Sequence, residues 1–418
     1  MRFSRFLASA ALAVTTLPAA LAADTPMAPA FRPPADAAPA EQSTVFACIP
    51  ARPACRPDAG YTLTYRWDAK SVDPGELVFV HFVGPDGKLA WNNDQDLPVP
   101  TAQWSGPITD TQHVAVPAGT APGDYQILAG LYNPKTGVRQ TLKTGPGVVA
   151  IGDQSYQVGV LRVAPDAPAS DLPAPSLNLK GYHLTFDDEF SALSVSAAGP
   201  GGRWFTNTKG TFGDARFVEQ KEGFPFTIEK GVLHIEARKD ADGWKSGILA
   251  SVDPQGNGFA QKFGYFEMRA KFPPGPGTWP AFWLLGQPAQ REQSQIKYTV
   301  TNPEIDVVEQ YGALPRYIHT TVHLWSPDRP HWSKSDTFVV PDTVDHFHTY
   351  GVMIEEDDTT FYFDGRELSK SKTLPEAKVP LYLLVNLALG CGWPIGKTPN
   401  PSVMWVDYVR AYSKQPVR

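Results

Sequence analysis

Apolar and polar residues alternate along this chain in short runs, the two-residue period of half-buried strands, and Gly, Pro, Asn and Asp interrupt them. Leu77-Val78-Phe79-Val80-His81-Phe82-Val83 is one such run, closed by the turn Pro85-Asp86-Gly87. Tyr125-Gln126-Ile127-Leu128-Ala129-Gly130-Leu131-Tyr132 is another, closed by Asn133-Pro134-Lys135-Thr136-Gly137. Helical periodicity is nearly absent. The pattern predicts an all-β protein in two parts. Residues 44–163 read as a smaller, immunoglobulin-like β-sandwich, and residues 179–415 as a larger two-sheet sandwich. Between them, residues 164–178 carry prolines at 165, 168, 173 and 175 among Ala, Ser and Asp, the composition of a semi-stiff linker.

The first residues break the pattern. Arg2 and Arg5, the apolar run from Phe6 to Leu17 and the small-x-small site Ala20-Leu21-Ala22 read as a signal peptide over residues 1–22. Residues 23–43, rich in Ala and Pro, read as a disordered segment. The expected location is periplasmic or secreted. No later apolar stretch reaches membrane length, so no membrane span is expected.

Composition narrows the partners. Lys and Arg number 37 against 43 Asp and Glu in 418 residues, a formal charge of -6, and no basic run stands out. Nucleic acid is therefore not an expected partner, and we expect a monomer. Cys48 and Cys55, close together among prolines, are expected to form a small-loop disulfide in an oxidising compartment. Cys391 reads as a buried thiol. Three cysteines without Cys-x-x-Cys spacing make no zinc site.

The chemistry concentrates in Pro303-Glu304-Ile305-Asp306-Val307-Val308-Glu309-Gln310-Tyr311-Gly312. Its β-branched residues predict a strand, yet it carries three acids. Strict alternation puts Glu304 and Asp306 on one face and Glu309 on the other. One inserted residue, a β-bulge, returns Glu309 to the face of the other two. Neighbours on one face lie about 6.6 Å apart, and two charges at that distance repel by roughly 2.5 kcal/mol at an effective dielectric near 20. The repulsion is relieved when one acid keeps its proton, the division of labour a retaining glycosidase requires. A strand of solvated edge charges is the competing explanation.

At this segment the chain resembles glycoside hydrolase family 16, the laminarinase, lichenase and agarase group with a β-jelly-roll fold. Glu304-Ile305-Asp306-Val307-Val308-Glu309 matches its bulged E-I-D-x-x-E signature. Leu184–Phe190, Gly264–Lys271, Gly277–Leu285 and Val406–Tyr412 resemble its opening, central cleft and closing strands. The resemblance implies Glu304 as nucleophile, Glu309 as general acid/base and Asp306 as the residue that orients the nucleophile. It implies an endo-acting retaining hydrolase of a β-1,3- or β-1,4-linked polysaccharide, a β-glucan or a bacterial exopolysaccharide. A transglycosylase and a non-catalytic glycan-binding or matrix scaffold are the alternatives. The front sandwich either binds glycan or supports the second part.

Around the acids, Trp279 and Trp283 share a strand face and are expected as an exposed pair of indoles for sugar stacking. Glu267 and Arg269 also share a face, which the resemblance places on the glycone side of the cleft. Asn386 matches a family position that binds sugar hydroxyls, and Trp393 sits on a following Gly-rich loop able to cap the groove. Trp204 is a weaker candidate of the same kind. His323 matches a histidine that lies near the acid/base. No cofactor is required for catalysis. The resemblance also suggests a structural calcium ion, held by Glu189, the backbone of Gly231 and Asp407.

Overall fold

The computed structural model describes residues 42–70, 72–73, 75–168, 172–197, 201–206, 212–287 and 300–414. The expected signal peptide and most of the Ala/Pro-rich segment lie outside the described residues. In chain order, the strands that matter below are β1 (Ala59–Ala69), β2 (Leu77–Val83), β3 (Gln95–Asp96), β4 (Gly106–Val116), β5 (Gly123–Tyr132) and β6 (Tyr156–Val163) in the front part. The second part supplies β7 (Ile248–Ala250), β8 (Gly264–Lys271), β9 (Thr278–Gly286), β10 (Asn302–Gln310), β11 (Tyr317–Trp325), β12 (Trp332–Val339), β13 (His348–Ile354), β14 (Leu381–Leu389) and β15 (Ser402–Ser413).

The fold is all-β. The front part packs a five-stranded sheet containing β1 and β4 on a six-stranded sheet containing β2, β3, β5 and β6. Alternation sets its core: Tyr61, Leu63, Tyr65 and Trp67 of β1 turn inward to meet Val78, Val80 and Phe82 of β2. The second part is a jelly roll of a ten-stranded and an eight-stranded sheet. In the ten-stranded sheet β8 lies between β15 and β13; the eight-stranded sheet runs β7-β14-β9-β10-β11-β12 across its main width. Phe266, Met268 and Ala270 of β8 face Phe282, Leu284, Ile305 and Leu383 across one continuous core. Burying each large side chain of this kind stabilises the sandwich by about 1.5–3 kcal/mol. Trp204 belongs to this core, its indole N–H donating to Asp188 at 2.7 Å, and does not reach the cleft.

The eight-stranded sheet would end at β12 with an open edge, a template for unwanted pairing. The front part covers it. Trp332 Nε1 donates to the Leu97 carbonyl, and the Ser333 backbone N–H and hydroxyl both donate to Asp96, each at 2.8 Å. In the other direction the His113 N–H of β4 donates to Asp336 at 3.1 Å. Lys334 Nζ lies 2.8 Å from Asp110, whose carboxylate is buried at the junction. The Pro-rich stretch is likewise engaged with the second part: the Ser176 and Leu177 N–H groups reach the Gly365 carbonyl, and Arg366 reaches that of Pro173.

The expected Cys48–Cys55 disulfide is corrected: both are buried free thiols. The Cys48 N–H pairs with the Val158 carbonyl and the Cys55 N–H with that of Arg162. Four residues of β6 separate those anchor points by about 13 Å, far beyond the Cα separation a disulfide spans. Among the described residues no helix is long and apolar enough to cross a membrane.

Candidate active site

The carboxylate strand β10 holds the bulge. Against β11, Asp306 pairs with Thr321 and Glu309 with His319, so three steps on one strand match two on the other. The extra residue sends both Val307 and Val308 into the sandwich core, together with Ile305. Glu304, Asp306 and Glu309 are left on the outer face of the eight-stranded sheet. Registered pairing lays that face out in rows: Leu285, Glu304, His323 and Ser333; Trp283, Asp306, Thr321 and Ser335; Ala281, Glu309, His319 and Thr337.

Each acid has its own partner. Trp325 Nε1 donates to Glu304 Oε2 at 2.9 Å, and Trp279 Nε1 donates to Glu309 Oε1 at 2.7 Å. His323 Nε2 lies 2.9 Å from Asp306 Oδ2. Burial raises all three carboxyls to about 8. For Glu304 and Glu309 the neighbouring Asp306 charge adds to the rise, while His323 and the indole donors oppose it. Acids so placed share protons at neutral pH, and a group that holds its proton beside one that gives it up is the requirement for paired acid and nucleophile chemistry.

Most of the expected residues converge here. Trp279 is half-buried over the acids. Asn386, on β14, sits beside Ala281 in register and accepts the Trp283 indole N–H at 2.7 Å. Its amide nitrogen has no partner among the described residues. Trp393 lies near Tyr311, ring centroids 6.2 Å apart, next to an open pocket of about 420 Å³ lined by Gly213, Asp214, Trp279, Cys391 and Gly392. In that pocket burial pushes the Cys391 thiol up to about 12, so it stays protonated.

Four expectations change. Trp283 is not an exposed indole: it is 8% accessible, set edge-on against Phe212 in an apolar layer with Leu285, Tyr382 and Leu384. Glu267 and Arg269 lie on β8, in the ten-stranded sheet, with Met268 between them pointing to the core. Their face is therefore on the far side of the sandwich from the acids. There Glu267 accepts from the Tyr265 and Tyr408 hydroxyls at 2.9 and 3.0 Å, and Arg269 pairs with Asp407. His323 contacts Asp306 rather than Glu309, and His319 is the histidine in register with Glu309. Finally, Glu189, Gly231 and Asp407 are neighbours along the Val406–Val409 stretch of β15. Both carboxylates are nevertheless taken by guanidiniums, Glu189 by Arg410 and Asp407 by Arg269. The arrangement fits two ion pairs, and no calcium is assigned to it.

The sequence reading missed Trp325 and His331. Trp325 follows His323 by two residues, so alternation along β11 carried a signal for it. His331 lies in the turn after β11, where no periodicity applies.

Known proteins resemble this chain over part of its length. A family model described as glycosyl hydrolases family 16 matches residues 211–410. An endo-1,3-1,4-beta-glycanase of Rhizobium meliloti (strain 1021) is 32% identical over 254 residues, covering 55% of this chain and 51% of that protein. A beta-glucanase of Rhodothermus marinus is 31% identical over 198 residues, covering 44% of this chain and 68% of that protein. Among solved structures, the laminarinase catalytic domain of Thermotoga maritima MSB8 aligns at 25% identity and a TM-score of 0.46, covering 56% of this chain and 99% of that one. The chain spans about half the length of the Rhizobium meliloti relative.

Proposed function

The chain belongs to glycosyl hydrolases family 16, and from that premise we propose that it is an exported, endo-acting β-glycosidase that cuts a β-1,3- or mixed β-1,3-1,4-glucan with retention of configuration. The observation that carries the reading is the bulge in β10, which sets Glu304, Asp306 and Glu309 on one open sheet face. Glu304, oriented by the Trp325 N–H, attacks the anomeric carbon. Glu309, raised by burial and held by Trp279, gives its proton to the leaving oxygen. The covalent glycosyl intermediate is then hydrolysed by a water that Glu309, now a base, deprotonates. Asp306 lies between the two and changes charge least if it shares its proton with His323. The Asn386 amide and the open pocket beside Trp279 and Trp393 supply polar and aromatic contacts for sugar rings. The names of the relatives support a glucan as the substrate class.

The test separates the two acids. NMR of the first product should show the β-anomer. With azide present, Glu304→Ala should yield the α-glycosyl azide, because azide replaces the missing nucleophile from the opposite face. Glu309→Ala, acting on a substrate with a good leaving group, should still form the intermediate and yield the β-azide. An inverted first product, or one azide anomer from both variants, overturns the assignment.

A further inference from the structure

Beside Asp306 the cleft floor carries two imidazoles in contact. His323 Nε2 lies 2.9 Å from Asp306 Oδ2, and its Nδ1 lies 2.8 Å from His331 Nε2. A nitrogen–nitrogen contact this short holds one proton, so the two rings do not choose their tautomers independently. His331 also stacks on Trp325, ring centroids 4.0 Å apart, and Trp325 is the donor to Glu304. One side chain outside the row of acids thus touches the partner of Asp306 and the partner of Glu304.

The charges around this pair come from three elements. Glu304, Asp306 and Glu309 face His323 from β10. Asp96 approaches from β3 of the front part, held by Ser333, the register neighbour of His323, and it feels the His323 charge. In the turn itself Arg329 is turned to Glu376, at 3.8 Å. Burial, and then the charge of His323, push His331 down to about 3, so His331 is a neutral ring.

On the reading of Glu304 as nucleophile, we propose that His331 is a positioning residue: its Nε2 accepts the His323 Nδ1 proton and so aims His323 Nε2 at Asp306. The consequence is electrostatic. With Nδ1 protonated, His323 meets either a protonated Asp306 as a neutral ring or an ionised Asp306 as an imidazolium. The Asp306–His323 unit is neutral in both cases. Glu304 then ionises beside a neutral neighbour instead of a carboxylate. With the opposite tautomers, His331 Nε2–H donating to a bare His323 Nδ1, the unit keeps a negative charge and opposes ionisation of Glu304.

Two substitutions separate this role from packing. His331→Phe keeps a ring on Trp325 and removes the acceptor, whereas His331→Gln supplies an acceptor without the ring. For His331→Phe we expect kcat on a soluble β-glucan to fall about tenfold, the scale of lost histidine orientation. Its KM should stay near the parent value, and the acidic limb of kcat/KM should move to higher pH. His331→Gln should restore the limb toward its parent position. Long-range 1H–15N NMR of histidine-labelled parent protein should show His331 Nε2 without a proton and His323 Nδ1 with one, a readout independent of turnover. A His331→Phe profile that overlays the parent, or a protonated His331 Nε2, overturns the proposal. Glu304→Gln serves as the separate control: if it remains active, the reading of Glu304 fails, whatever the NMR shows for His331.

Discussion

At the scale of single residues, Glu304, Asp306 and Glu309 store a stability cost as well as a chemistry. Burial raises each carboxyl to about 8, above its unfolded value near 4. A carboxyl raised on folding binds more protons in the native state, so its contribution is complete below the unfolded value and is lost as pH climbs through the folded value. Between about pH 4 and pH 8 the site therefore destabilises the protein progressively. Glu309→Gln removes the ionisation and keeps an oxygen for the Trp279 N–H. Its melting temperature should exceed that of the parent by about 3 °C at pH 8, with the gap narrowing toward pH 5. Calorimetry at the two pH values checks this, and an equal gap at both would place the proton elsewhere. The same three acids were readable in the sequence because Glu304-Ile305-Asp306-Val307-Val308-Glu309 matches a bulged signature, which returns Glu309 to the face that alternation gives Glu304 and Asp306. His331 was not, because a turn residue has no periodic neighbour and reaches His323 only once β11 and β12 are paired.

Elements decide where those residues face. The bulge in β10 exists because two consecutive valines, Val307 and Val308, both enter the core, and a regular strand admits only one. Inserting one alanine between Val308 and Glu309 gives the alanine the outer position and turns Glu309 toward the apolar interior. Hydrolysis should then drop by at least about 10²-fold, the contribution of a positioned general acid, and the chain should also be less stable because a carboxyl enters the core. Activity assays alongside circular dichroism check both effects, and a folded insertion variant with parent activity would remove the acid/base role from Glu309. Strand β8 shows what local pattern cannot supply. Alternation put Glu267 and Arg269 on a common face, as found, but gave no information about which sheet β8 would join. Trp279 and Trp283 share a face in the same way. Phe212 and the apolar residues of β14 then cover one indole and leave the other half-open.

For the whole molecule, the cover over β12 changes how the two parts relate. A Pro-rich stretch between two sandwiches suggested modules that separate freely. Instead Asp96, Asp110 and His113 of the front part meet Ser333, Lys334 and Asp336 of the edge strand. Asp110→Ala leaves the half-buried Lys334 with only Asp336 to face, and should cost about 3 kcal/mol. Residues 177–418 expressed alone should melt at lower temperature than the full chain and self-associate through the bared edge, which thermal unfolding and light scattering would register. A monomeric truncate with the parent melting temperature would return the front part to the role of a detachable module.

The sequence by itself determined what depends on near neighbours: strands with a two-residue period, turns at Gly and Pro, and three acids on one strand in the order of a bulged signature. These follow from backbone geometry, which acts over a few residues. Only the tertiary structure decided which sheet received Glu267 and Arg269, and it paired Cys48 and Cys55 with separate points along β6. It also turned Glu189 and Asp407 to arginines and brought His331 and Asp96 beside His323. Each of those outcomes joins residues far apart in the chain, and burial and charge pairing between them are settled only when the sheets close.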